Sequence, residues 1–357
     1  MQNRRAFLAG LAAAGLAPQA TWADAGNPSF LSAGKTPDGR YVLCGLDDRG
    51  KAVFQLALPG RGHAAAAHPN LAQAVAFARR PGQFAVVIDC ARGREVSRLE
   101  TPPGRHFYGH GAFSSDGRRL FTTENDFENA QGVIGIWDAA KGYQRVGEFA
   151  SAGVGPHDIK LLQDDVLVVA NGGIETHPDA GRSKLNIPTM RPNLAFISLQ
   201  GALLDVVELD PSLHKNSIRH LGVGRNGQVA FGMQWQGNVA ARVPLLGVVR
   251  RGEAPVLFDT EMADMEELAG YVGSVGVSDD AGLVGITSPR GNVAQFFDMT
   301  TGAMVAQQEV SDVCGIAPMG SSFLLTTGMG VVARSSENLF QVKSKHQIQW
   351  DNHLIPV

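Results

Sequence analysis

Histidine recurs at one position of a repeated sequence pattern. The pattern is typical of a strand, a turn with Asp-Gly or a similar pair, and a second strand, and four copies begin with His63, His110, His157 and His220. Only 10 of the 357 residues are histidine, so four at equivalent positions require a cause. Imidazole is the commonest metal ligand in proteins and suits iron, copper, zinc and nickel. The spacing predicts a transition-metal site, provided that the fold brings these copies together.

The same repeat identifies the elements that would position the histidines. Seven copies are present, 31 to 63 residues apart, and they begin at Ser32, His63, His110, His157, His220, Ser274 and Cys314. Spacings of about 40 to 50 residues are typical of four-stranded propeller blades, and 43 glycines suit many tight turns. We therefore predict an all-β fold, a seven-bladed β-propeller with four-stranded blades. The first strand of each blade would be innermost, so the first residues of the copies would meet at one mouth of the central channel.

Further polar side chains are expected around this mouth. The set comprises His106, Tyr108, Glu124, Asp158, Asn171, His177, Trp235, Arg290 and Cys314. Glu124 or Asp158 could orient a metal-bound imidazole through its second ring nitrogen. A polar insert at about residues 171–194 is expected to lie over the mouth as a loop. The alternative is a polar, water-filled channel that the histidines line without a metal.

The first residues of the chain indicate export. Arg4 and Arg5 precede a weakly apolar stretch and then small residues, which is typical of a twin-arginine (Tat) signal, here predicted at residues 1–25. A single propeller domain would then occupy residues 26–357 in a bacterial periplasm. The apolar stretch is shorter than the ~20 residues that span a bilayer, so we expect no membrane span.

Several other functions find little support in the sequence. The formal net charge is -3 and no basic run follows the first residues, which argues against a nucleic-acid partner. The sequence has no GxSxG elbow, P-loop or HExxH motif. Three acidic residues, Glu124, Asp126 and Glu175, leave a paired-carboxylate glycoside hydrolase as an alternative.

Longer motifs resemble those of a known family. They are Arg105-His106-Phe107-Tyr108-Gly109-His110-Gly111, Gly155-Pro156-His157-Asp158-Ile159 and the insert from Asn171. From about residue 28 onward, together with the leader, the chain resembles uncharacterised periplasmic propellers of bacteria. Such proteins are typically encoded beside imelysin-type iron-uptake proteins and a dihaem peroxidase-like oxidoreductase. The resemblance implies a role in iron or other metal handling, with an imelysin-type partner, and it transfers no catalytic residue.

Three hypotheses follow. The first is a periplasmic propeller that binds a transition metal, iron before copper, through His63, His110, His157 and His220 and serves iron uptake. The second is an oxidoreductase that uses the same ligands around an open coordination position. The third is a metal-free scaffold that docks an imelysin-type partner.

Overall fold

Seven antiparallel sheets arranged in a ring form a β-propeller, as the repeat predicted. The computed structural model describes residues 19–80, 82–181, 183–238, 240–258, 266–336 and 339–357. The predicted export signal falls largely on residues 1–18, which lie outside the described residues. No helix in the described ranges has the length and apolar character needed to cross a membrane.

The strands follow one another blade by blade along the chain. Blade 1 contains β1 (Phe30–Lys35), β2 (Tyr41–Leu46) and β3 (Ala52–Leu58). Blade 2 contains β4 (Gly62–Ala67), β5 (Gln73–Ala78), β6 (Ala85–Asp89) and β7 (Arg94–Leu99). Blade 3 contains β8 (Arg105–Phe113), β9 (Arg119–Asp126), β10 (Gln131–Asp138) and β11 (Gln144–Ala150). Blade 4 contains β12 (Pro156–Leu161), β13 (Val166–Asn171), β14 (Asn193–Ser198) and β15 (Leu203–Glu208).

The second half of the chain repeats this order and then closes the ring. Blade 5 contains β16 (Asn216–Val223), β17 (Val229–Trp235), β18 (Leu246–Val249) and β19 (Val256–Leu257). Blade 6 contains β20 (Ser274–Ser278), β21 (Leu283–Ser288), β22 (Val293–Asp298) and β23 (Met304–Glu309). Blade 7 contains β24 (Val313–Met319), β25 (Ser322–Thr327), β26 (Val331–Ser336) and β27 (Leu339–Lys345). The C-terminal tail then returns to blade 1 with β28 (Gln349–Trp350) and β29 (Ile355–Pro356). Short 3-10 turns occupy Trp22–Ala25, Ala139–Lys141, Pro178–Ala180, Ile187–Thr189 and Pro211–Leu213.

Burial explains why the strands differ in sequence. The two middle strands of blade 4, β13 and β14, are apolar almost throughout and are buried along nearly their whole length. The outermost strand of blade 3, β11, alternates exposed and half-buried residues. A middle strand packs against a neighbouring blade on both faces, whereas an outer strand has one side in water. The core therefore lies between the blades.

Blade 1 departs from the register that the repeat predicted. Ser32 was expected to begin the innermost strand, but it lies in β1, which is the second strand of the blade. The C-terminal tail supplies the innermost strand instead, because β28 and β29 both pair with β1. The Asp38-Gly39 turn therefore joins the second and third strands of blade 1, whereas the corresponding turns elsewhere join the first and second. Phe340 lies in β27, the outer strand of blade 7.

Candidate metal centre

Four innermost strands and the C-terminal tail each bring a histidine to the channel. His63, His110, His157 and His220 lie on β4, β8, β12 and β16, as the repeat predicted. His353 lies in the tail between β28 and β29, which is the innermost position of blade 1. The five histidines therefore come from blades 1 to 5, which are consecutive around the ring. Sequence analysis missed His353 because it was assigned no blade.

Irregular strand pairing accompanies each of these histidines. In β4, β8 and β12 the register shifts across the histidine itself, and in β16 it shifts between Ile218 and His220. In the tail, Trp350 and Ile355 pair with β1 but the four residues between them do not. A β-bulge turns a side chain away from the direction that regular pairing would give it. The bulges let these side chains leave the sheet surface and point together.

The imidazole rings form one compact cluster. The ring centre of His63 lies 4.6 Å from that of His353 and 4.9 Å from that of His110. On the other side, the ring of His157 lies 5.1 Å from His110 and 4.8 Å from His220. Two triplets, His63 with His110 and His353, and His110 with His157 and His220, each have ligand nitrogens within 4.8 Å of one another. His110 is common to both triplets and is therefore the centre of the cluster.

Several ring nitrogens in the cluster are buried without a hydrogen-bond partner among the described residues. They are Nδ1 of His63, Nε2 of His110, Nδ1 of His220 and Nε2 of His353. A buried polar atom without a partner normally costs about 1–3 kcal/mol. Four such atoms in one cluster are unusual, since most buried polar groups in native proteins are satisfied. A metal ion coordinated by these nitrogens would remove the penalty, so the residues fit such an ion.

Hydrogen bonds fix the ring orientation of two of the histidines. Nδ1 of His110 lies 3.0 Å from the carboxylate of Asp158, and Nδ1 of His157 lies 3.1 Å from the carbonyl oxygen of Arg219. Both acceptors require the proton on Nδ1, which leaves a lone pair on Nε2. This carboxylate or carbonyl support is typical of metal-bound imidazole. Asp158 also accepts hydrogen bonds from the backbone of Ile159 and Leu221, so its carboxylate is rigidly held.

A second carboxylate lies beside His63. An oxygen of Asp351 is 3.8 Å from Nδ1 of His63, and the same carboxylate forms ion pairs with Arg61 at 2.6 Å and Arg79 at 2.5 Å. Asp351 comes from the tail, two residues before His353. The tail thus delivers both a histidine and a charged neighbour to the centre.

Burial favours the neutral form of four of the five imidazoles. It lowers the pKa of His63 to about 4, and the charges of His110 and Arg79 act in the same direction. Burial also lowers the pKa of His157, His220 and His353 well below the ordinary value for histidine. Neutral imidazole is the form that binds metal ions. At neutral pH these four side chains are therefore ready to act as ligands.

Two glycines make room for the cluster. Gly109 has a φ of +106°, and a Cβ placed on it would lie 2.7 Å from Cδ2 of His63. A Cβ on Gly315 would lie 2.8 Å from the backbone nitrogen of Leu354, beside His353. A side chain at either position would push a histidine-bearing segment out of place. These glycines are part of the site although they carry no functional group.

Some of the other predicted residues surround the mouth without entering the cluster. His106 is buried, and its Nε2 lies 3.3 Å from the side-chain amide of Asn125. The Tyr108 hydroxyl contacts the side-chain oxygen of Thr176 at 3.2 Å, which ties blade 3 to the insert. His177, in the insert, is partly exposed and packs against Phe127. The insert spans the gap between β13 and β14 and contains two short 3-10 turns.

Other predicted residues have contacts of their own away from the histidines. Glu124 is fully buried and forms a two-pronged ion pair with Arg145, so it does not orient an imidazole. Asn171 is held by Ser151 and Asn193, and Cys314 donates to the carbonyl of Asp312. The Trp235 indole donates to its own loop, and Arg290 lies over the ring of Tyr271 at 4.2 Å.

Two of the three acidic residues considered for a glycoside hydrolase, Glu124 and Asp126, are also engaged. Asp126 is buried, accepts hydrogen bonds from Asn129 and lies 3.5 Å from Arg105. Glu124 and Asp126 therefore both serve ion pairs and hydrogen bonds within blade 3. This arrangement does not favour a paired-carboxylate mechanism.

The sequence was compared with known protein families. A model described as Protein of unknown function (DUF1513) matches residues 56–357. The chain belongs to this family. All five histidines of the cluster, together with Asp158 and Asp351, lie inside the range matched by the DUF1513 model. Membership of a family of unknown function was predicted and is confirmed, whereas the Tat signal and the imelysin neighbourhood stay predictions. No curated protein matches the chain.

Solved structures resemble this DUF1513 protein in fold. One is described as Kuenenia stuttgartiensis Hydrazine Synthase, with a TM-score of 0.61 and 13% identity, covering 84% of this chain and 93% of that one. Another is described as the Crystal Structure of Mitotic Checkpoint Complex, with a TM-score of 0.58 and 12% identity, covering 80% and 77%. At such identities the likeness concerns the fold alone.

Proposed function

We propose that the histidine cluster binds a transition-metal ion and that the protein handles this metal in the periplasm. The observation that carries the proposal is the group of four buried imidazole nitrogens without partners. Neighbouring rings among them have centres 4.6 to 6.4 Å apart. A buried imidazole nitrogen without a protein partner is expected either to give its lone pair to a metal ion or to form a hydrogen bond with water. Because these nitrogens belong to neighbouring rings, a shared metal ion is favoured.

The chemistry of the donor atoms limits which metal ions fit the site. Imidazole nitrogen without thiolate suits iron, copper, zinc or nickel. We propose iron as the natural cargo, because the motifs of the chain resemble periplasmic propellers encoded near iron-uptake proteins. An imelysin-type protein is the proposed partner for transfer of that iron.

The first test is metal binding by the purified protein. We expect one equivalent of Fe(II), measured by elemental analysis and by anaerobic titration. Replacing both His110 and His353 by Ala removes ligands from both triplets. It should weaken binding by at least about a hundredfold, more than loss of an outer partner alone. His214→Ala is the matched control, since His214 is partly exposed, lies outside the cluster and contacts the Pro211 carbonyl in its own loop. Equal and negligible metal in the wild type and the double variant would refute the proposal.

A folding control keeps this test decisive. The double variant must retain the circular dichroism and the cooperative thermal unfolding of the wild type. If it unfolds, the single substitution His110→Gln provides the measurement, because glutamine keeps a polar group of comparable length beside Asp158. His110 belongs to both triplets, so even this single change should weaken binding measurably.

A second candidate function is oxidation chemistry at the same metal. It is favoured by the position of His157, which is the only one of the five rings that is partly exposed rather than buried. A metal bound beside it would keep a side open to a small molecule. Oxygen consumption by the Fe(II)-loaded protein, compared with Fe(II) in buffer, separates an oxidoreductase from a binding protein.

A further inference from the structure

The mouth above the histidines carries an excess of positive charge. Arg219 immediately precedes His220, and its carbonyl oxygen accepts the hydrogen bond from His157. Lys184 of the insert and Arg290 of blade 6 lie near it. Desolvation and the guanidinium groups of Arg219, Arg290 and Arg80 lower the pKa of Lys184. Lys184 contacts Gln236 of blade 5, and Arg290 packs on Tyr271, which is bridged to Gln234 of the same blade. The insert and blades 5 and 6 therefore bring three cations, Lys184, Arg219 and Arg290, to one side of the mouth.

These cations lack acidic partners of their own. Arg290 packs on the Tyr271 ring, and Lys184 donates to the amide oxygen of Gln236. Nε of Arg219 is buried and has no hydrogen-bond partner in the part of the chain that the structure describes. No ion pair involving Arg219, Arg290 or Lys184 occurs there either. An unpaired, partly buried guanidinium is costly unless something binds to it.

The carboxylates beside the histidines are already neutralised. Asp351 pairs with Arg61 and Arg79, and Asp158 lies 3.6 Å from Lys160 as well as beside His110. Neutral imidazoles add no negative charge to the site. A bound divalent ion would thus keep its charge next to several unpaired cations. Like charges at short distance repel strongly in a partly desolvated site, so an anion is needed to balance them.

We infer that the mouth binds a small oxyanion, a carboxylate or a phosphate, between the guanidinium of Arg219 and the metal, so that the metal is carried together with an anion. The planar fork of a guanidinium matches two oxygens of such a group. Arg290 and Lys184 stabilise the same anion from the rim. This inference rests on the proposed metal site and names the chemical class of its second ligand.

The test measures metal affinity with and without an oxyanion. Ni(II) serves as an air-stable divalent probe, titrated into protein in chloride, acetate or inorganic phosphate at equal ionic strength. We expect acetate or phosphate to raise the Ni(II) affinity of the wild type at least tenfold over chloride. The stronger of the two shows whether the site prefers a carboxylate or a phosphate.

Variants locate the effect. Arg219→Gln should abolish the oxyanion enhancement, so that the Ni(II) affinity of this variant is the same in chloride, acetate and phosphate. Arg219→Lys should restore part of it. Arg225→Gln is the matched control, since Arg225 is exposed and pairs with Asp279 and Asp280. If Arg219→Gln fails to fold, Arg290→Gln at the exposed rim should show the same change in smaller degree.

Failure of this inference is distinguishable from failure of the metal site. Tight Ni(II) binding that is equal in all three anions would overturn the inference and leave the metal site intact. If Ni(II) does not bind in any buffer, calorimetry of phosphate and acetate with the metal-free protein decides. If phosphate or acetate binds the wild type but not Arg219→Gln, the anion site is supported without the metal site. If neither anion binds the wild type, the anion site is overturned.

Discussion

Blade 3 and blade 6 have the same four strands but present different inner edges to the channel. In blade 3 the pairing of β8 with β9 shifts register around His110. In blade 6 every residue of β20 from Ser274 to Ser278 pairs in register with β21. Ser274 is buried and lines a channel cavity of about 160 Å³ that also contacts His220 and His353. The two blades thus differ at the inner strand, where one is bulged and carries an imidazole and the other is regular.

This difference separates the scaffold from the site. The second strands of both blades, β9 and β21, are buried along nearly their whole length. Only the inner strands of blades 1 to 5 combine a histidine with an interrupted ladder. Blade 7 keeps the register shift but holds Cys314 and Gly315 there. A bulge alone therefore does not make the site, and the five histidines occupy one continuous arc of the mouth.

Removing the tail should have the largest effect on this arc. Deletion of residues 347–357 takes away the inner strand of blade 1 together with Asp351 and His353. It also removes the buried side chains of Ile348, Trp350 and Leu354. Since burying each such side chain contributes about 1.5–3 kcal/mol, we expect a loss of roughly 5 kcal/mol or more in the free energy of unfolding, measured with urea. Deleting only the exposed Val357 should change little. A truncated protein of wild-type stability would show that the tail does not close the ring.

Mild acid should lower the free energy of unfolding of the metal-free protein through its buried histidines. The pKa of His63 is about 4 when folded, below its ordinary value of 6.5. Between these values the unfolded chain binds more protons, so stability is complete above pH 6.5 and falls as the pH drops towards 4. The slope is at most about 1.4 kcal/mol per pH unit for each such histidine. Urea unfolding of the metal-free protein at pH 7, 6 and 5 measures it.

The surroundings of His63 define the control for this pH dependence. Asp351, Arg79, His110, His157 and His353 are charged or titratable groups that face it. His63→Gln should give a shallower dependence on pH, while His214→Gln on its exposed loop should leave the slope unchanged. Identical slopes for all three proteins would mean that His63 is not held neutral by burial.

Asp158→Asn, in β12 of blade 4, should weaken metal binding. The carboxylate holds Nδ1 of His110 at 3.0 Å, and loss of such an outer partner typically costs 10–100-fold in metal affinity. Ile159 and Leu221 donate to different oxygens of Asp158, and Asn keeps only one acceptor oxygen, so urea unfolding of the variant is measured beside its metal affinity. Asp116→Asn, in the exposed turn of blade 3, is the control. Unchanged affinity in Asp158→Asn would exclude a supporting role for this carboxylate.

The propeller fold and four of the five histidines of the site could be predicted from the sequence, because blade repeats produce a regular pattern of residues. The strand-turn-strand pattern identified seven blades and placed His63, His110, His157 and His220 at equivalent positions. Asp158 was predicted beside an imidazole, and it lies against His110. These inferences depend on local pattern and on the symmetry of the fold, both of which are present in the chain itself.

The remainder depends on contacts that span the whole chain. His353 joins the site because the tail pairs with β1, which is more than 300 residues earlier in the chain. The Ser32 hydroxyl of β1 also donates a hydrogen bond to the carbonyl oxygen of His353. Two short strands of two residues each leave almost no periodic signal. Glu124 was expected at the mouth because the sequence does not show that Arg145 binds it. Bulges likewise leave no trace in residue type.

Gly109→Ala should test how closely the backbone of β8 packs against the ring of His63. The new methyl group would lie 2.7 Å from His63, and the positive φ of +106° adds backbone strain. We expect a loss of about 1–3 kcal/mol in stability and weaker metal binding. Gly39→Ala isolates the backbone contribution, because Gly39 also has a positive φ but no atom would lie within 4 Å of the added Cβ. If both variants lose equal stability and bind metal equally well, contact with His63 is not the cause.

Placing a histidine in blade 6 should have the smallest effect. Ser274→His adds an imidazole at the position that the repeat aligns with His110, beside the same cavity. Because β20 pairs in register with β21, no bulge turns this side chain towards the other five. We expect metal affinity to change less than twofold relative to Ser274→Ala, measured by the same Fe(II) titration. A large gain in affinity would mean that residue type alone builds the site, whereas no gain would assign that role to the irregular pairing of the inner strands.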